Sequence, residues 1–169
     1  EFRRVLFRSV DLTVVALLDD VDGDGTDDIV WQRNDGQVHY WPMREGKRTG
    51  GIDIHTPVGR EWALLGVGDV DGDGTADLVW RHENGQVHYW PMREGKRTGG
   101  IDIHTRVGDE WALCGVGDVD GDGTEDIVWQ RNDGQVHYWP MHEGKRMDGI
   151  DIHTPVGNEW MLMGVGNVD

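Results

Sequence analysis

Three short segments of this chain each place carboxylates at alternate positions. They are Asp20, Asp22 and Asp24 with Asp28, Asp69, Asp71 and Asp73 with Asp77, and Asp118, Asp120 and Asp122 with Asp126. Each segment reads Asp-Val-Asp-Gly-Asp-Gly-Thr, with the last carboxylate at position 9. Glycines at positions 4 and 6 permit a tight turn, so side chains at 1, 3 and 5 can converge on one point. The backbone carbonyl at position 7 (Thr26, Thr75 and Thr124) and the carboxylate at position 9 complete an all-oxygen shell. Calcium, a hard ion, takes six to eight oxygens at about 2.3–2.6 Å. Such like charges cannot crowd together at low cost without a cation. The residue after the threonine is Asp27, Ala76 or Glu125, so that position is not a required ligand. The expected cofactor is therefore Ca2+, about one ion per complete loop.

Other metals fit less well. Magnesium favours a small octahedron that keeps several waters. Zinc and softer metals would want His or Cys, and the loops hold neither. An EF-hand would need Glu at position 12, where this chain has Trp31, Trp80 and Trp129, and would need flanking helices.

The elements that must position these loops are legible from the period. The heptapeptide recurs every 49 residues, and a fourth copy begins at Asn167-Val168-Asp169. The units 20–68, 69–117 and 118–166 agree at 40 of 49 positions (first and second) and 42 of 49 (first and third). A period of this length marks stacked supersecondary units. Within one unit, Trp62–Gly68 is a short apolar run that leads into the acidic loop, and Asp77–Arg81 follows it. Asn84-Gly85 signals a turn, Gln86–Trp90 is a third strand closed by Pro91, and Ile101–Thr105 alternates with period two. Arg93–Gly100 reads as a polar connection. The first three strands are apolar on both faces and the last has one polar face. That pattern predicts four-stranded antiparallel blades packed face to face, with no helix. The fold class expected is all-β, a partial β-propeller of about three blades plus the first strand of a fourth. Closure of a propeller takes 4–8 blades. The expectation is thus an open arc that needs further blades of a parent chain or self-association.

Asp-x-Asp-Gly-Asp-Gly-x-x-Asp, set between a strand ending Gly-Val-Gly-Asp and a strand Asp-Ile-Val-Trp, resembles the FG-GAP/VCBS repeat. This is the calcium-binding blade of integrin-α-like β-propellers. The resemblance covers 11–169. It implies calcium in the hairpin loop between the first two strands of a blade, secretion or display at the cell surface, and roles in adhesion or carbohydrate binding.

Residues 1–9, Glu-Phe-Arg-Arg-Val-Leu-Phe-Arg-Ser, have no counterpart in the repeats and resemble a translated sequencing adapter; they are set aside as non-native. They carry three Arg and one Glu, so the net charge of −16 becomes −18 for residues 10–169. Such an acidic chain would be repelled by nucleic acid and by anionic membranes. No apolar run approaches membrane-spanning length.

Each unit repeats three tryptophans. Packing between blades is their first expected role. Trp41, Trp90 and Trp139, beside Pro-Met, are the candidates for a sugar-stacking platform. His39, His88 and His137 fall within the third strand, and Asp53-x-His55 and its repeats on the last. Serine is absent outside 1–9, and the single cysteine, Cys114, aligns with Leu65 and Met163 and is expected to be a buried apolar strand residue. An active site needs unlike groups converging on one pocket, whereas repetition supplies identical groups at equivalent places. No enzyme is expected. The expected function is a calcium-binding repeat module of a secreted or surface protein that binds glycan or an extracellular protein. The alternative is a non-catalytic scaffold portion of a larger secreted hydrolase or lyase.

Overall fold

The computed structural model describes residues 17–55, 57–104, 106–152, 157, 159–162 and 164–165. The adapter-like stretch and the start of the fourth unit at 167–169 lie outside them. Every element among the described residues is a strand. The first blade comprises β1 (Leu17–Asp19), β2 (Asp28–Gln32), β3 (Val38–Trp41), β4 (Met43–Arg44), β5 (Lys47–Arg48) and β6 (Ile52–His55). The second comprises β7 (Trp62–Gly68), β8 (Asp77–His82), β9 (Val87–Trp90), β10 (Met92–Arg93), β11 (Lys96–Arg97) and β12 (Ile101–His104). The third comprises β13 (Trp111–Gly117), β14 (Asp126–Arg131), β15 (Val136–Trp139), β16 (Met141–His142), β17 (Lys145–Arg146) and β18 (Ile150–Asp151). Each blade is a four-stranded antiparallel sheet, β1-β2-β3-β6 and its repeats, from which a two-stranded hairpin projects. The three blades form an unclosed partial propeller.

Period-two alternation explains why the strands are apolar on both faces. In the second blade, Leu78, Trp80, Trp90 and Met92 pack with Val21, Val30, Val38 and Tyr40 of the first. Val79, Val87 and Tyr89 point the other way, onto Ile127, Trp129, Trp139 and Met141 of the third. Leu78, Val79, Val87 and Met92 are fully buried. Each such side chain contributes about 1.5–3 kcal/mol on transfer from water. The outermost strands see solvent instead, through Ile52, Ile101 and Ile150.

Polar clamps fix one blade to the next. Gln32 donates from Nε2 to Trp62 O (3.1 Å) and accepts Leu64 N–H (3.0 Å). Gln130 does the same to Trp160 O (2.9 Å) and Leu162 N (2.9 Å), and so holds the segment that follows the third blade as Gln32 holds β7. Arg81 takes the equivalent place in the middle and donates to Trp111 O (2.7 Å) and Gly108 O (3.0 Å).

Two expectations need correction. The polar connection Arg93–Gly100 contains the hairpin β10–β11, with Met92 opposite Arg97 and Arg93 opposite Lys96. Its turn has positive φ at both central residues, Glu94 (49°) and Gly95 (68°), as a type I′ hairpin requires. The Glu-Gly pair is not the usual Asn-Gly signal, which is why the sequence pattern does not display it. Cys114 is half-buried rather than buried and sits at the β-bulge between Leu113 and Gly115. An unpaired bulge residue has loose side-chain requirements, so Leu65 and Cys114 exchange there.

Candidate metal centre

The acidic loops join β1 to β2, β7 to β8 and β13 to β14, at one end of each blade. The position-1 carboxylate organises its own turn. Asp20 Oδ1 accepts Gly23 N–H (2.7 Å) and Asp24 N–H (3.0 Å), and Oδ2 accepts Gly25 N–H (2.7 Å). Asp69 repeats this with Gly72, Asp73 and Gly74 at 2.7, 3.0 and 2.7 Å. Asp118 does so with Gly121, Asp122 and Gly123 at 2.7, 3.1 and 3.1 Å. Gly72 and Gly74 hold φ of 77° and 86°, which side-chain-bearing residues resist.

Position 9 is the deepest group. Asp28, Asp77 and Asp126 are fully buried, and each Oδ1 accepts an N–H from the hairpin residue 15 positions on: Met43, Met92 or Met141, all at 3.0 Å. The second oxygens differ. Asp126 Oδ2 accepts Val119 N–H (3.1 Å), whereas Oδ2 of Asp28 and of Asp77 has no hydrogen-bond partner. Burial raises these carboxyls, Asp28 to about 6 and Asp77 to about 8, with the neighbouring loop carboxylates adding to the effect. Asp126 is raised for the same reason. Asp22 and Asp71 are raised by burial and by the carboxylate at position 5, and Asp22 Oδ1 is also buried without a partner.

The predicted site residues converge in part. Asp20, Asp22 and Asp28 offer ligand oxygens within 4.8 Å of one another, as do Asp69, Asp71 and Asp77. Asp24 and Asp73 stand aside, each joined to an arginine of its own hairpin, Arg44 and Arg93, at 3.0 Å. In the third loop the close group is Asp118, Asp120 and Asp122, all exposed. Thr26 N and Thr75 N donate to Asp24 and Asp73 at 3.0 Å, and Thr124 N to Asp122 at 2.8 Å, so position 7 belongs to the turn through its backbone. A buried carboxylate oxygen with no partner and two more carboxylates beside it is the donor set of a hard cation, so the residues fit calcium.

Successive loops also touch. Ala76 N–H donates to Asp20 O and Glu125 N–H to Asp69 O, both at 2.9 Å. This explains the variable residue after the threonine. Its backbone makes the contact, and its side chain lies between loops.

The tryptophans are in contact with other side chains. Trp90 and Trp139 are buried, and Trp41 is half-buried. Arg48, Arg97 and Arg146 cover Trp41, Trp90 and Trp139 at 4.4, 4.1 and 4.3 Å from the ring centroids. Trp31, Trp80 and Trp129 lie against them at 4.5, 4.5 and 4.7 Å. A sugar stacking on these indoles would have to displace a guanidinium. His39, His88 and His137 bond across the sheet to Asp53, Asp102 and Asp151 through Nδ1 at 2.8, 2.8 and 2.9 Å. The aspartates of the last strand thus pair with the third strand. The hairpin Glu94 and its repeats escaped sequence reasoning, although their recurrence at 45, 94 and 143 was a visible signal.

Among solved structures, a Tc holotoxin pore from Photorhabdus luminescens is similar at 17% identity and a TM-score of 0.58, over 91% of this chain. A TcdB2–TccC3 complex without its hypervariable C-terminal region is similar at 18% identity and a TM-score of 0.53, over 72%. This chain spans 7% of the length of each, and at such identity the likeness is one of fold. Among curated proteins no match is found. The FG-GAP-like repeat pattern matches residues 20–80 and again 69–129, each match running from one acidic loop through the next, and the chain belongs to the FG-GAP-like repeat family.

Proposed function

We propose that the chain is a calcium-binding β-propeller module of a larger secreted or surface protein and serves in binding rather than catalysis. The observation that carries the metal reading is the fully buried Asp77, whose Oδ2 has no hydrogen-bond partner while Asp69 and Asp71 offer oxygens within 4.8 Å. Asp20, Asp22 and Asp28 would hold the ion of the first loop, with the Thr26 carbonyl and Asp24 completing the shell. Asp73 and Thr75 would do so in the second loop. Asp118, Asp120, Asp122, Thr124 and Asp126 make up the third. Millimolar extracellular calcium suits loops of this kind.

The partner is a glycan or an extracellular protein, bound weakly at equivalent places on successive blades and strengthened by multivalency. A non-catalytic scaffold within a larger secreted hydrolase or lyase is the second reading; the short share of the similar toxin chains that this stretch spans is in keeping with a module inside a long protein. Equilibrium dialysis should find about three calcium ions per chain, and none above background once all three loops are scrambled. A glycan array on the calcium-loaded protein, with Trp90→Ala as comparison, would then separate the two. A signal lost with fold and calcium uptake intact favours the lectin reading, and no signal at all favours the scaffold.

A further inference from the structure

The turns of the second and third projecting hairpins lie on the acidic loop of the preceding blade. Gly95 of β10–β11 sits so close to the first blade that a Cβ there would meet Tyr40 Oη at 2.0 Å and Asp22 Cβ at 3.3 Å. Gly144 repeats this over Tyr89 Oη (2.1 Å) and Asp71 Cβ (3.2 Å). Gly46, in the first hairpin, meets nothing within 4 Å among the described residues. Glu94 precedes Gly95 and lines a cleft of about 540 Å3 together with Asp22, Asp24, Tyr40 and Arg44 of the first blade. Glu94 of the second blade and the loop residues Asp22 and Asp24 of the first thus share one cleft.

Two features make this placement informative. The loop beneath holds a fully buried carboxylate, Asp28, with one oxygen that makes no well-formed hydrogen bond, and a second such oxygen on Asp22, a setting that suits a cation. The turn itself would be easier with another residue. Glu45, Glu94 and Glu143 all take positive φ (51°, 49° and 47°), where Asn, Asp or Gly is favoured. A long carboxylate is kept at a position whose backbone does not favour it.

We propose that the cation of an acidic loop is gripped by two blades. Glu94 supplies a further oxygen to the ion of the first loop, and Glu143 to that of the second, directly or through one water. The ion then ties each hairpin to the preceding blade, and calcium becomes a fastener between blades as well as within one. The inference rests on the calcium reading above.

Calorimetric titration with calcium alone tests it, in the full chain carrying Asp71→Asn and Asp120→Asn so that only the first loop is intact. Glu94→Gln should weaken binding roughly tenfold, the scale on which supporting groups tune a metal site. Glu45→Gln, the same change in a hairpin that covers no acidic loop among the described residues, should leave it unaltered. The tenfold loss should persist beside Arg44→Gln; if it disappears, Glu94 serves only as an ion-pair partner of Arg44 and the proposal is overturned. Equal affinities for Glu94→Gln and Glu45→Gln overturn it as well, while leaving the calcium reading standing. No calcium uptake by any variant would remove both. Circular dichroism of each variant confirms the fold, and Glu143→Gln with only the second loop intact gives an independent repeat.

Discussion

At the scale of the residue, the position-9 aspartate is where local structure and chemistry meet. Asp77 fixes the hairpin through Met92 N–H with one oxygen and leaves the other unpartnered. Burial raises its carboxyl from 3.8 to about 8, so between these values the native protein keeps a proton that the unfolded chain has released. Stability of the cation-free protein should therefore be highest below about pH 4 as far as this group is concerned. It should fall as pH rises through the window to about 8. Asp28 acts in the same sense up to about 6. Calcium bound as proposed would stabilise the charged carboxylate and should flatten that decline, a difference readable in thermal melts with and without chelator. Calcium at a hundred times its dissociation constant adds about 2.7 kcal/mol per site by mass action. Asp77→Asn should remove one site's share of that gain. Asp27→Ala should remove none, since the second loop carries Ala76 at the equivalent position. The spacing of carboxylates and glycines made the ligand candidates legible. It did not reveal that Asp24 and Asp73 pair with hairpin arginines, because those partners lie 20 residues away.

At the scale of the element, the first three strands of a blade followed from short apolar runs bounded by turn signals and the last from period-two alternation, and the two-sided apolar pattern became two separate inter-blade cores. The hairpins did not follow, since two-residue strands carry no periodicity and Glu-Gly is a weak turn signal. The inter-blade clamps were equally hidden, because Gln32, Arg81 and Gln130 look like ordinary polar strand residues until a neighbouring backbone is placed beside them. Turn glycines show how tightly the elements fit. Gly85 has φ of 91°, and a Cβ there would lie 2.1 Å from Val107 O, on the segment entering the third blade. Its own carbonyl accepts Val107 N–H at 2.7 Å. Gly85→Ala combines left-handed strain with a backbone clash. It should cost about 1–3 kcal/mol or more, seen as a lower urea midpoint. Gly74→Ala, with a similar φ (86°) and nothing within 4 Å, isolates the strain alone and should cost less.

At the scale of the whole molecule, repetition allows each blade to serve as a control for the others. Val21 and Val70 are fully buried beneath the following blade, whereas their equivalent Val119 is 38% exposed. On the opposite flank Leu18 is 61% exposed, and beyond the third blade Trp160 and Met161 are 66% and 72% exposed. These are side chains of the type that fills the two inter-blade cores. Exposed apolar faces flanking unpaired strand edges favour association, and two such faces on opposite sides of one arc can join different copies head to tail. The chain in isolation should therefore sediment as a concentration-dependent oligomer with an all-β circular dichroism spectrum. Leu18→Lys together with Trp160→Lys should shift it toward monomer, because a buried lysine without a partner opposes the contact. A monomer at every concentration, with the same spectrum and melting point as the lysine variant, would show that these faces do not seek a blade. Substantial helix in that spectrum would contradict the propeller arc itself.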